Sequence, residues 1–265
     1  MTQYEDDPRQ WSGPIDNMGD AERLLLELSM RYLHRADSLY WLREFPEPHA
    51  SLQQHLGQTW LRIGRLRSDP AALDSAESHL RLALTLREAL PDNVSRIDTR
   101  LALAECLRCR ARLMPQGSEQ RLSTARSVIE AALEQGYCET SDAQRSQLAL
   151  MASKVAVDIA TLRRSPRELS AVLPGLDRIS EHFTRNFSPV LHAEAALERQ
   201  RLRSVLGLLT HDEKLKNWAA VDADDATQSI RRDQSLWIHE RANSCHINVL
   251  RAGDRQVSLT FPAAW

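Results

Sequence analysis

Lysine is almost missing from this 265-residue chain: Lys154, Lys214 and Lys216 stand against 31 arginines. Arginine could build a surface for carboxylates or phosphates through its rigid fork, but the bias runs along the whole chain, which fits a biased base composition better. Glycine is scarce too, at nine residues, and the sequence contains neither a glycine-rich phosphate loop nor a His-Glu-x-x-His run. Long apolar runs are absent: the best stretch, residues 148–162, is interrupted by Ser153, Lys154 and Asp158, so no membrane span is expected. Four cysteines make no disulfide framework. The start, Met1 to Asp7, is polar and acidic and lacks the basic flank and apolar core of a signal peptide. These features lead us to expect a cytoplasmic protein, bacterial in origin, with no membrane partner. The net charge of −2 provides no global field for nucleic acid, which disfavours that partner.

What the chain does have is 42 % apolar residues, enough for a folded core. Residues 1–18 hold Pro8, Gly13 and Pro14 among polar groups without periodicity and are expected to form a loose tail. From Asp20, the residues Leu24, Leu25, Leu28, Tyr32, Ala36 and Leu39 recur at steps of three or four, the pattern of one face of a long helix. Pro46 and Pro48 are expected to end it, and Ser51 with Gln54 has the capping-box spacing of a new helix start. Asp69-Pro70, an N-cap acid before a first-turn proline, opens the next helix, which closes near Pro91-Asp92-Asn93.

The two helices flanking Asp69 carry Trp60, Ile63 and Gly64, then Ala76, Leu80 and Ala83. That set resembles one tetratricopeptide repeat: an aromatic, a large apolar residue and glycine on the first helix, and small and large residues on its partner. Arg67 stands where the repeat usually has an aromatic residue, and its usual proline arrives late, as Pro91. Ala125, Ile129 and Ala132 form a looser copy 49 residues on, which we read as a repeat expanded by a long first helix (about 94–113) and the loop Met114–Gly117. Gly136 is expected to cap the second helix of that copy. The resemblance implies an all-α fold of antiparallel helix pairs stacked as a right-handed superhelix.

Farther along, Leu148, Ala152, Val155, Ile159 and Leu162 form an amphipathic stripe, with Gln147, Lys154, Asp158 and Thr161 opposite. Ser165-Pro166-Arg167-Glu168 starts another helix, which Pro174-Gly175 should break or kink. Ser188-Pro189 starts the next, and Thr210 with Glu213 caps a short one through Trp218. These later pairs do not align with the repeat consensus. The helical domain is expected over residues 19–234. In residues 235–265, Trp237-Ile238, Ile247, Val249, Val257, Leu259 and Phe261 alternate with polar groups, predicting a β-hairpin or meander turning at Ala252-Gly253-Asp254. A tetratricopeptide region followed by such a meander resembles the entry to a CHAT-type caspase-like domain, although the match covers about thirty residues and leaves no room for that family's catalytic His and Cys.

Several residues carry chemistry on paper. Cys106 and Cys109 have redox or half-zinc spacing, but they fall mid-helix on an apolar stripe where cysteine packs as a small hydrophobe. His239, Cys245 and His246 could supply a nucleophile and base, yet neighbouring strand residues point to opposite faces. Asp222, Asp224 and Asp225 form an acidic cluster that fails the EF-hand pattern at Thr227 and Asp233 and reads better as an acidic helix start. No catalytic residue, metal or cofactor is assigned.

The expected function follows from architecture. Stacked helix pairs expose a concave side lined by their first helices, and such surfaces bind peptides or proteins. The residues expected to face it are Gln58, Leu61, Arg65 and Ser68 on one repeat and Leu101, Glu105 and Arg108 on the next. They lack the Lys and Asn clamp with which chaperone-tail receptors of this family hold a terminal carboxylate. The leading expectation is a non-catalytic adaptor or scaffold for a protein or peptide partner, with the terminal hairpin as a second contact able to bring together like or unlike chains. The alternatives are a regulatory subunit or remnant of a CHAT-type protease effector, and an RNA-binding helical repeat.

Overall fold

The computed structural model describes residues 20–39, 45–90, 94–136, 141–183 and 188–229. The expected N-terminal tail and C-terminal hairpin, with His239, Cys245 and His246, lie outside them. Among the described residues the fold is all-helical: α1 (Asp20–Asp37), α2 (Pro46–Arg67), α3 (Pro70–Glu88), α4 (Val94–Leu113), α5 (Ser118–Gly136), α6 (Asp142–Leu162), α7 (Pro166–His182), α8 (Pro189–Thr210) and α9 (Glu213–Ser229).

The helices pair in sequence, α2 with α3, α4 with α5, α6 with α7 and α8 with α9. First helices start at residues 46, 94, 142 and 189 and second helices at 70, 118, 166 and 213, a spacing of 48, 48 and 47 in both sets. What looked like an expanded second copy is therefore the ordinary length of the unit. The spacing Ala76, Leu80, Ala83 returns as Ala125, Ile129, Ala132, then Val172, Leu176, Ile179, then Ala219, Ala223, Ala226, all buried apart from the half-buried Val172. Each first helix also touches the next, α2 to α4 to α6 to α8.

Three of the four hairpin turns are built alike. Ser68, Arg164 and His211 adopt left-handed φ of 50°, 49° and 55°. The following residue donates its N–H to the carbonyl five back, Asp69 to Gly64, Ser165 to Ala160 and Asp212 to Gly207, each at 3.0 Å, the Schellman closure of a helix end. That same residue then caps the next helix through its side chain: Asp69 accepts from Ala71 N, Ser165 from Glu168 N and Asp212 from Lys214 N. The α4–α5 turn differs, placing Gly117 at φ 72°.

Several boundaries differ from expectation. Pro46 and Pro48 begin α2 rather than ending α1, because the first-turn N–H groups have no intrahelical acceptor to lose. Ser51 and Gln54 consequently lie inside α2. The true capping box is Ser141 with Gln144, at the head of α6. Pro174 does not end α7, whose Ser170 and Pro174 face solvent, so the carbonyl freed by proline can bond water. Asp212, not Thr210, caps α9, and the Thr210 hydroxyl donates back to Leu206 O. α9 runs eleven residues past Trp218.

Close approach holds the first pair. A Cβ on Gly64 would lie 2.7 Å from Leu73 Cγ and one on Gly57 2.6 Å from Leu80 Cγ, so both glycines let α3 side chains seat directly on the α2 backbone. Trp60 packs on both the Leu73–Leu80 core and the Met30–Leu56 cluster beneath α1.

Candidate interaction groove

Along the line of first helices lies a concavity of about 360 Å³, lined from α2 by Gln54, Gln58, Leu61 and Arg65, from α4 by Asp98, Leu101, Ala102 and Glu105, from α6 by Met151 and Lys154, and from α8 by Glu194. It brings together five of the seven residues expected to bind a partner: Gln58, Leu61, Arg65, Leu101 and Glu105. The other two lie elsewhere. Ser68 sits in the left-handed turn at the end of α2, and Arg108 is buried beneath the surface with 1 % exposure.

Leu61, Leu101 and Met151 supply the apolar part of the lining, Leu61 from within the core itself. Charged groups cross between helices around them. Arg65 of α2 stands 3.7 Å from Glu105 of α4, and Lys154 of α6 donates to Glu194 of α8 at 2.5 Å. Burial alone would push the Glu105 carboxyl up, but Arg108, Lys154, Arg65 and Arg112 outweigh it and hold the group well below the usual carboxylate range.

Under the groove is a buried ion cluster. Arg108 donates from Nη1 to Glu105 at 2.6 Å, from Nε to Asp158 at 2.7 Å and from Nη2 to Glu198 at 3.2 Å, so one guanidinium joins α4, α6 and α8. Asp158 also accepts from Arg112 at 2.8 Å and lies 2.5 Å from Arg201. Burial raises the Asp158 carboxyl, but Arg112, Arg201 and Arg108 overcome it and leave it well below its ordinary value. Arg108 is held well above its own, because Glu105, Asp158 and Glu198 outweigh its burial. Lys154, Asp158 and Thr161 are thus buried, not on a solvent face as the amphipathic reading of α6 expected: this helix has neighbours on both sides, α5 and α7 behind it and α4 and α8 beside it.

Cys106 and Cys109 lie in the core, Cys106 Sγ donating to Leu73 O at 3.4 Å. Burial pushes both thiols up, Cys109 to about 11, away from the thiolate needed for redox or metal chemistry at neutral pH.

A second concavity, of about 480 Å³, lies between α8 and α9 with Arg199, Arg203, Trp218 and Asp222 in its lining. Arg203 donates to Asp222 at 2.6 Å and stacks over the Trp218 ring at 5.8 Å. Asp225 lies 3.1 Å from His192 Nε2. The Asp222–Asp225 cluster is therefore not a helix start: it falls in the second half of α9, where it meets the basic residues of α8. Burial raises the Asp222 carboxyl above its usual value against the pull of Arg199 and Arg203.

No family model, curated protein or solved structure matches this chain. No described helix is long and apolar enough to cross a membrane.

Proposed function

We propose that the chain is a non-catalytic adaptor or scaffold whose helix pairs form a right-handed array of the tetratricopeptide type, and that it holds a peptide or an exposed segment of a protein partner in the groove along α2, α4, α6 and α8. The observation that carries this reading is the convergence of Gln58, Leu61 and Arg65 with Leu101 and Glu105 in one concavity, open to solvent and extended by the next two units. Its chemistry suits a segment with an apolar side chain for Leu101 and Met151, backbone groups for the exposed amide of Gln58, and charges for a floor that offers both signs. The buried cluster beneath it keeps α4, α6 and α8 in fixed register, so most of the groove is formed before the partner arrives and little ordering entropy remains to be lost. A cytoplasmic location belongs to the same proposal.

The test is affinity capture with mass spectrometry, comparing wild type with Gln58→Arg combined with Leu101→Glu. Gln58 is exposed and Leu101 half-buried at the groove, whereas Leu61 is a core residue whose loss would confuse binding with unfolding. Partners lost from a variant with unchanged circular dichroism support the groove. An unchanged set of partners overturns it.

A further inference from the structure

His192 stands where three helices meet. It lies in the first turn of α8, beside the end of α7, and α9 returns past it so closely that Ala193 and Ala226 share one buried cluster. Both of its ring nitrogens face oxygen. Nδ1 is 2.6 Å from the carbonyl of Phe183, the residue that closes α7, and Nε2 is 3.1 Å from Asp225 Oδ2 of α9. A carbonyl oxygen only accepts, so Nδ1 must carry a hydrogen. A neutral ring has just that one, which would leave the lone pair of Nε2 against a carboxylate. The second contact is therefore a hydrogen bond only when the pair holds a further proton, as imidazolium against carboxylate. The two side chains are 12 % and 19 % exposed, so little water is at hand to replace it.

The surrounding charges favour that proton. Arg199, two turns along α8, reaches Asp225 at 3.4 Å, Asp222 at 3.0 Å and Asp177 of α7 at 3.8 Å. Arg203 is divided between Asp222 and Asp177. Three carboxylates of α7 and α9 thus share two guanidiniums of α8, and an imidazolium at His192 makes the count even. Two other titratable groups lie close by. His182 of α7 meets the Phe183 ring edge-on, and Glu194, two residues along α8, is taken up by Lys154 of α6.

We propose that His192 and Asp225 form a proton-dependent latch that ties α9 to α7 and α8, closed while the pair holds its extra proton and loosened as the pH rises. The closed junction keeps a proton that the opened one gives up, so closure is favoured at low pH and weakens upward. Asp222 acts in the same sense, but in the acid range of carboxylates: burial raises its carboxyl against the pull of Arg199 and Arg203. Asp225 and Asp222 both line the concavity beside Trp218. The latch governs that end of the array, whatever the groove along the first helices binds.

Native-state hydrogen exchange of the full chain, with rates corrected for the pH dependence of intrinsic exchange, gives the opening constant of α9. It should rise about tenfold from about pH 5 to about pH 8, the span in which histidines give up their proton. In Asp225→Asn the side-chain amide can donate to a ring nitrogen that has no hydrogen, so the rise should disappear. His192→Phe keeps a ring but neither donor. Its opening constant should stay at the high-pH level throughout, which keeps the test decisive if Asp225→Asn alone loosens α9. A flat wild-type profile, or one slope common to all three chains, would overturn the proposal. So would nitrogen-15 spectra at about pH 5 in which one His192 ring nitrogen lacks a hydrogen while α9 stays fully protected.

Discussion

Arg108 Nε donates to Asp158 Oδ2 across 2.7 Å, a bond between two almost fully buried side chains on different helix pairs. Such a pair is worth little compared with a well-packed apolar substitute, but removing one member strands the other without water. Arg108→Met should therefore lower stability by about 3–5 kcal/mol in urea unfolding, nearer the lower figure because Arg112 and Arg201 still reach Asp158. Arg108→Lys should recover little of it, since a single ammonium cannot direct donors at Glu105, Asp158 and Glu198 together.

Acid should loosen the same region. Glu105 and Asp158 have folded-state pKa values below their unfolded ones, so their contribution is fully present above the ordinary carboxylate range. It is lost as pH falls from about 4 toward the depressed values, where the folded state must also take up protons. Asp222 is shifted upward and opposes this trend. Urea midpoints between neutral pH and pH about 3 should fall steeply for wild type and less steeply for Asp158→Asn, which starts lower but has one fewer such carboxylate to protonate.

Two glycine-to-alanine changes should have opposite signs. In Gly64→Ala the new methyl would lie 2.7 Å from Leu73 Cγ, and an overpacking cost of about 1–3 kcal/mol outweighs the gain of about 1 kcal/mol in helix propensity. In Gly175→Ala the nearest atom is Ser153 Oγ at 3.9 Å, so α7 should gain about 0.5–1 kcal/mol. Thermal or urea denaturation of the two variants separates close approach from mere flexibility.

The left-handed turn residues offer a third comparison. Ser68, Arg164 and His211 all carry a Cβ at positive φ. Replacing any one by glycine should stabilise the chain by up to about 1 kcal/mol, because the strain removed exceeds the unfolded-state entropy added. Asp69→Ala should cost about 1 kcal/mol through loss of the cap on Ala71 N. Equal effects at Ser68 and His211 would bear out the equivalence of the two turns.

Much of the helical order was legible in the chain because caps are local chemistry: Asp69-Pro70 and Ser165-Pro166 announce themselves within four residues. Pro46 and Pro48 misled because proline both stops a helix and opens one, and only the chain's path decides which. The 48-residue period is masked in the sequence because the second-helix stripe changes composition, Ala-Leu-Ala in α3 becoming Val-Leu-Ile in α7 and Ala-Ala-Ala in α9, while its spacing stays fixed. Leu61 and Glu105 could be placed on the groove from helical phase alone. Lys154, Asp158, Glu194 and Glu198 could not, since periodicity sends charge to solvent and only stacking on two sides brings it inside. A hint was present in the charges four apart, Lys154 with Asp158 and Glu194 with Glu198, set in helices otherwise rich in alanine and leucine.

The link from Arg108 to Glu198 skips a unit, running from the second helix pair to the fourth. In a stack whose units interact only with adjacent ones, unfolding creeps inward from an end, each unit melting against the next. A contact of longer reach couples α4, α6 and α8, so loss of α8 also uncovers a charge on α4. The last three pairs should then open together, and hydrogen exchange should report one common opening free energy across them instead of a gradient falling toward Ser229.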